Sequence, residues 1–301
     1  MVQLEKIFVS IMPDLVVVQG DTASATAGAL QAHALHIPIG HVEAGLRSRD
    51  LWNPWPEESN RRIIDSISTL HFAATKSAFN NLIGEGFSES ISITGNTIVD
   101  ALMQVMARLD WLPEVRINLE SLLGFDLSSE YILFTQHRRE GFGSGQEKVF
   151  EAILELARLG KKVVFPVHLN PAVQAKAQLL LSGVPGIFLI QPLPYLSFVE
   201  LIKNCSLIIS DSGGLQEEAP TFGKKIIITR KTTERPEILI CGLGQLVGYD
   251  YQAILEKSII SLEDNNGGLG SVDNPFGNGN AAEEITAIIG HFLLAELKPQ
   301  K

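Results

Sequence analysis

Ten short runs of Val, Ile, Leu and Phe recur along this chain, and helix-length segments separate most of them. The first four read "DLVVVQG" (14–20), "PIGHV" (38–42), "LHFAA" (70–74) and "SISIT" (90–94). The other six, "YILFT", "KVVFPV", "IFLIQ", "SLIIS", "KIIIT" and "QLVG", all lie after residue 130. A strand with one wet face alternates apolar and polar residues, whereas these runs are nearly unbroken, as in strands covered on both sides. Joined by helices, they predict parallel sheets and a doubly wound α/β architecture.

The segment "GNTIVDALMQVMARLDWLPEVRINLE" (95–120) carries no strand pattern and separates the two groups. It reads as a helical connection between two Rossmann-like domains, residues 1–97 and 98–282. A closing helix over 283–301 has no strand after it and is expected to pack back on the first domain. The chain opens on Leu4, Ile7, Phe8 and Ile11, an i, i+3, i+4, i+7 helical stripe. With four strands against six, the first domain reads as lacking its initial βα units.

Composition narrows the partners. The 301 residues are 45% hydrophobic and 19% charged, as in an ordinary globular protein. With 34 acids against 24 bases, the net charge of −10 argues against a nucleic-acid surface. An anionic small molecule would need local basic groups and backbone N–H donors. No apolar run reaches the roughly 20 residues of a membrane helix, and no secretory leader pattern opens the chain. No membrane partner and a cytoplasmic setting are therefore expected. Cys205 and Cys241 sit in or beside apolar runs without metal-ligand spacing and read as small buried hydrophobes.

Ligands of open parallel sheets sit beyond the carboxyl ends of the strands, and the unusual polar residues of this chain cluster there. "VVVQGDTAS" places Asp21 and Thr22 at such an end, where either also suits a helix N-cap. "GHVEAGLRSRD" follows the next strand with His41, Glu43 and Arg47. "WNPWPEESNRR" adds Glu57, Glu58, Arg61 and Arg62, with Glu57 and Arg61 at i, i+4, where an ordinary ion pair also fits. Carboxylates on two loops of one sheet edge are what acid–base chemistry on both faces of a sugar requires. In the second domain, His137, Arg138 and Arg139 follow "YILFTQ" as an anion site, because arginine forks phosphate. "SDSGGLQEEAP" presents Ser212, Gly213 and Gly214 before a helix that carries Glu217 and Glu218. "TRKTTERPE" supplies Arg230, Glu234, Arg235 and Glu237. No Walker loop, HExxH or CxxC is present, so no metal and no cofactor are expected.

Taken in order, "GDTAS", "HVEAGLRS", "PWPEESNRR", "ITGNTIVDA", "HRREGFG", "PVHLNP", "SDSGGLQEEAP", "TTERPE" and "NPFGNGNA" resemble the non-hydrolysing UDP-N-acetylglucosamine 2-epimerases over nearly the full chain. The resemblance implies two Rossmann-like domains in a glycosyltransferase-B-type arrangement, with UDP in the cleft and homodimers common. It also implies interconversion of UDP-N-acetylglucosamine and UDP-N-acetylmannosamine without a metal. In that chemistry UDP leaves C1 as the C2 proton is lost. The 2-acetamidoglucal intermediate stays bound and recaptures UDP, while a proton returns to the other face.

Carried over by motif, Asp21, Glu43 and Glu57 are the acid–base candidates, and His137 lies near diphosphate and sugar. Arg61 orients a carboxylate or contacts substrate, and Arg138 belongs to the anion site. Ser212, Gly213 and Gly214 offer donors to the diphosphate, Glu218 accepts from the ribose hydroxyls, and Arg235 lies close to sugar or phosphate. Glu217 reads as solvated. Two departures stand out. Gln136 replaces a usually small residue, and no Gly-Thr-Arg-Pro-Glu-like loop precedes "GDTAS". The resemblance therefore describes an N-terminally shortened member. A catalytically inactive UDP-sugar-binding remnant, or an epimerase for a related UDP-sugar, stays open beside the epimerase.

Overall fold

The structure, a computed structural model, describes residues 2–137, 144–264 and 273–296. Arg138, Arg139 and Glu140 of the expected anion site lie outside the described residues. The chain forms two compact units, one of residues 1–100 with 276–301 and the other of residues 101–275.

The first unit carries strands β1 (Val16–Gln19), β2 (Ile39–Ala44), β3 (Leu70–Ala73) and β4 (Ile91–Ile93), parallel and in sequence order. Helix α1 (Val2–Ile11) precedes them, and α2 (Ala23–Ala34), α3 (Glu57–Ile67) and α4 (Lys76–Gly84) form the crossovers. Small residues let α2 lie close to the sheet: Ala29 and Ala32 pack with Val18, Ile39 and, from α3, Ile64. Thr22 caps α2 by accepting from the N–H of Ala25, and Thr75 caps α4 through Ala78.

Helix α5 (Thr97–Leu109) leads out of this unit. The second unit continues with α6 (Pro113–Leu123), β5 (Ile132–Thr135), α7 (Ser144–Arg158), β6 (Val163–Pro166), α8 (Pro171–Leu181) and β7 (Ile187–Ile190). Then come α9 (Tyr195–Asn204), β8 (Leu207–Ser210), α10 (Gly213–Glu218), β9 (Ile226–Ile228), α11 (Glu237–Ile240), β10 (Gly244–Leu246) and α12 (Tyr251–Glu263). Its sheet is parallel in the order β10-β9-β8-β5-β6-β7. Within the unit that is the doubly wound dinucleotide-fold order, and it reverses between β5 and β8. Loops leaving those two strands diverge to opposite faces, which opens a crevice at their carboxyl ends. Phe134, Phe150 and Phe165 fill the core beneath it.

The closing helix, α13 (Ala281–Glu296), returns to the first unit. Its Ile285 is buried with Val42, Leu70 and Phe72, and Asp100 accepts from the N–H groups of Ala281 and Ala282 at its start. Among the described residues no helix is long and apolar enough to cross a membrane. Both cysteines are free. Cys205 is buried, and burial pushes its thiol up to about 12, whereas Cys241 is only half-buried.

Candidate active site

In the first unit Asp21, Glu43 and Arg61 come together at the ends of β1 and β2. Asp21 does not cap α2, since Thr22 does, and its carboxylate instead receives Arg61 of α3. Arg61 donates from Nε at 2.9 Å and stands at 2.7 Å through Nη2, both to Oδ2 of Asp21. The Asn60 side chain donates to the Asp21 carbonyl at 2.7 Å. Arg61 is buried while Asp21 keeps 25% of its side chain exposed, so the carboxylate is oriented yet reachable.

Glu43 owes its position to an irregular backbone. The β2–β3 register shifts between Val42 and Ala44, and Glu43 takes φ +67°, a left-handed value that side chains rarely adopt. A Cβ built on Gly20 would stand 3.2 Å from Oε2 of Glu43, so this carboxylate lies against the strand end that also carries Asp21. Gly45, at φ +83°, admits no side chain, because a Cβ there would come within 2.3 Å of the Ala78 carbonyl.

A buried ion network sits beneath these groups. His41 meets Oδ1 of Asp65 through Nδ1 at 2.5 Å and the Gly20 carbonyl through Nε2 at 2.9 Å. Oxygens thus face both ring nitrogens, which fixes the ring between the two strand ends. The other oxygen of Asp65 accepts from the Gly45 N–H and pairs with Arg47 at 2.7 Å. Burial works to raise the Asp65 carboxyl, but His41 and Arg47 outweigh it and hold the group below its ordinary value. Asp65 thus ties together the backbones on both sides of Glu43.

Glu57 and Glu58 have different fates. Glu58 is fully buried and accepts from the N–H groups of Ser48 and Arg49, from Arg61 at 3.1 Å and from Arg62 at 3.3 Å. Glu57 is half-buried, and its Oε2 has no hydrogen-bond partner among the described residues.

In the second unit, His137 follows β5, and Ser212, Gly213, Gly214 and Glu218 follow β8, the two strands flanking the order reversal. His137 is anchored by Asp211, which accepts from its backbone N–H and pairs with Nδ1 at 3.0 Å. That contact fixes Nδ1 as the donor and frees Nε2 for a ligand. An open pocket of about 240 Å³ lies here, lined by His137, His168, Phe198, Ser212, Leu215 and Glu218 among others. Ser212 caps α10 by accepting from Leu215, and its own N–H donates to Ser210. Gly213 lies close under Arg235: a Cβ there would stand 2.8 Å from Nη1 of that side chain. The guanidinium therefore lies over the first turn of α10.

Glu217 is not solvated, as the sequence reading expects. It is 2% exposed and accepts from Nε of Arg235 at 2.6 Å, which neutralises it beside those donors. Glu218 is also buried, and the Tyr195 hydroxyl donates to its Oε1 at 2.5 Å. Burial pushes the Glu218 carboxyl up to about 7, with the tyrosine bond opposing that shift. Gln136 is buried at the pocket wall, and neither atom of its amide has a partner among the described residues.

Sequence reasoning missed Tyr195, Asp65, Asp211 and the buried role of Glu58. "PLPYLSF" reads as an ordinary helix start, and Asp65 as one polar residue of an amphipathic helix.

The profile of the family described as UDP-N-acetylglucosamine 2-epimerase matches residues 1–290. The chain is 42% identical over 288 residues to the UDP-N-acetylglucosamine 2-epimerase of Escherichia coli K12, covering 94% of this chain and 77% of that protein. It is 41% identical over 292 residues to the probable UDP-N-acetylglucosamine 2-epimerase of Ralstonia solanacearum, covering 95% and 78%. Among solved structures, the Neisseria meningitidis UDP-GlcNAc 2-epimerase bound to UDP-GlcNAc superposes with a TM-score of 0.91 at 40% identity, over 96% of this chain and 79% of that one. The Methanocaldococcus jannaschii enzyme in complex with UDP-GlcNAc and UDP gives 0.85 at 37% identity, over 96% and 79%.

Proposed function

Because the chain belongs to the UDP-N-acetylglucosamine 2-epimerase family, we propose that it interconverts UDP-N-acetylglucosamine and UDP-N-acetylmannosamine by expelling and recapturing UDP. A carboxylate takes the C2 proton, the C2–H electrons form a C1=C2 double bond, and UDP departs with the electrons of the C1–O bond. The 2-acetamidoglucal then accepts a proton at C2 on the opposite face as UDP re-adds at C1. Such a route needs carboxylates around the ring and donors that stabilise the departing diphosphate.

The observation that carries this reading is the cluster in the first unit. Arg61 orients Asp21, the bulge sets Glu43 against the same strand end, and Glu57 keeps an oxygen unengaged. These three are the acid–base set. In the second unit, Ser212, Gly213, Gly214 and Arg235 hold the diphosphate together with Arg138. His137 acts at the diphosphate and sugar, and Glu218 accepts from the ribose hydroxyls. The first unit with its closing helix thus serves as the chemical domain and the second as the nucleotide domain. The enzyme works in the cytoplasm as a homodimer on the route to cell-surface polysaccharides.

Glu57→Gln tests the division of labour. Turnover is expected to fall by roughly 10²–10⁴-fold, the usual worth of a positioned acid or base. The Kd for UDP, measured by calorimetry, stays within about twofold, because the nucleotide contacts lie elsewhere. Loss of UDP affinity in this variant would show that Glu57 is assigned the wrong role.

A further inference from the structure

We propose that Tyr195 is a positioning residue for nucleotide recognition: its hydroxyl holds the Glu218 carboxylate in its charged form for the ribose diol, and so sets the preference for a ribonucleotide. This rests on the reading of Glu218 as the ribose acceptor and adds a residue to it.

The geometry is specific. Tyr195 opens α9 behind Pro194 and is 39% exposed as a residue, so it does not serve to fill the core. Its hydroxyl nonetheless reaches Oε1 of Glu218 at 2.5 Å. Glu218 is 4% exposed and lines the pocket at the β5–β8 crevice with Phe198 and Ser212. Among the described residues, the titratable groups lining that pocket are His137 at the end of β5, His168 beyond β6 and Glu218 itself. Tyr195 bonds Glu218 from α9, Asp211 pairs with His137, and the Arg235–Glu217 pair packs against α10.

Burial alone drives such a carboxyl towards its neutral form, which accepts hydrogen bonds poorly and carries a proton of its own to place. A diol offers two O–H donors, and an ionised carboxylate accepts both more strongly than a protonated one. The tyrosine bond opposes neutralisation. Burial and the adjacent carboxylate raise the Tyr195 hydroxyl in turn, so it remains a donor at working pH. With the Tyr195 bond in place the Glu218 carboxyl stands at about 7, so the charged acceptor forms as pH rises through neutrality.

The test compares UDP with 2′,3′-dideoxyuridine 5′-diphosphate by calorimetry, for the intact chain and for its Tyr195→Phe and Glu218→Gln variants, from pH 6 to 9. The affinity ratio of the two nucleotides cancels titration of the phosphates and of both histidines. The unaltered chain should favour UDP increasingly as pH rises through 7. Tyr195→Phe should lower that preference about tenfold at pH 7, the worth of a charged hydrogen bond. It should recover by pH 9, since losing the bond moves the carboxyl upward and ionisation then needs higher pH. Glu218→Gln should show little preference at any pH. A Tyr195→Phe ratio matching the unaltered chain at every pH would overturn the proposal. An equal loss for both nucleotides, marking a merely structural tyrosine, would overturn it as well. If Glu218→Gln keeps the full preference, the ribose reading itself fails, a separate outcome.

Discussion

Glu43 shows how one residue can be set against its own fold. Its φ of +67° belongs to glycine, and an L side chain there costs about 1–2 kcal/mol. Nothing in the packing of β2 requires a carboxylate at that point, while the chemistry proposed for the site does. Glu43→Gly should therefore leave the protein as stable or roughly 0.5–1 kcal/mol more stable, the relief of strain being partly offset by glycine's extra freedom when unfolded. Turnover should fall by more than about 10²-fold. Thermal unfolding and an epimerase assay on the same preparation measure both, and a large loss of stability would mean the carboxylate is structural. Glu57 and Glu58 carry the complementary lesson. Adjacent and identical in sequence, they face different surroundings, with Glu58 consumed by two backbone N–H groups and two arginines. The motif resemblance singled out Glu57. Residue type alone could not, because the difference arises from a loop that folds back on α3.

At the level of elements, the ends of β1 and β2 are held by one buried carboxylate. Asp65 gathers His41, Arg47 and the Gly45 N–H, and through His41 it reaches the Gly20 carbonyl beside Asp21. Asp65→Asn breaks the buried Arg47–Asp65 pair and should cost about 3–5 kcal/mol near neutrality. The sign with pH follows from the depressed carboxyl. Its contribution is complete above the unfolded value, roughly 3.9, and is lost as pH falls through the lower folded value. The stability gap between the native chain and Asp65→Asn should thus hold from pH 7 down to about 4 and close below it. Thermal unfolding at each pH checks this, and a gap that persists unchanged into strong acid contradicts it. The strands themselves were legible in the sequence, since burial on both faces leaves unbroken apolar runs such as "VVFP" and "LIIS". In the closing helix Ile285 packs on Phe72. The Asp65 network and the Tyr195–Glu218 bond were not legible in the sequence. Their partners are separated by 24 and 23 positions, and only tertiary packing brings them together.

For the molecule as a whole, the strand order of the second unit explains why the residues proposed to hold the nucleotide fall where they do. His137 leaves β5 and Ser212 leaves β8, and the order reverses between those two strands. Sequence patterning yields strands and helices but not their lateral order, so this crevice emerged only with the fold. The motifs point to these strand ends because polar groups there serve no core. The glycine at position 213 has the same origin, since it lets Arg235 lie over the helix start. In the proposed reaction this chain moves a proton at C2 while UDP leaves and returns. The direct measurement is incubation of the purified protein with UDP-N-acetylglucosamine in deuterium oxide, followed by proton NMR of the C2 position and of both epimers. The account predicts deuterium at C2 of UDP-N-acetylmannosamine and of recovered UDP-N-acetylglucosamine, at a mixture the two substrates reach from either side. Absence of both C2 deuterium and the second epimer would contradict it.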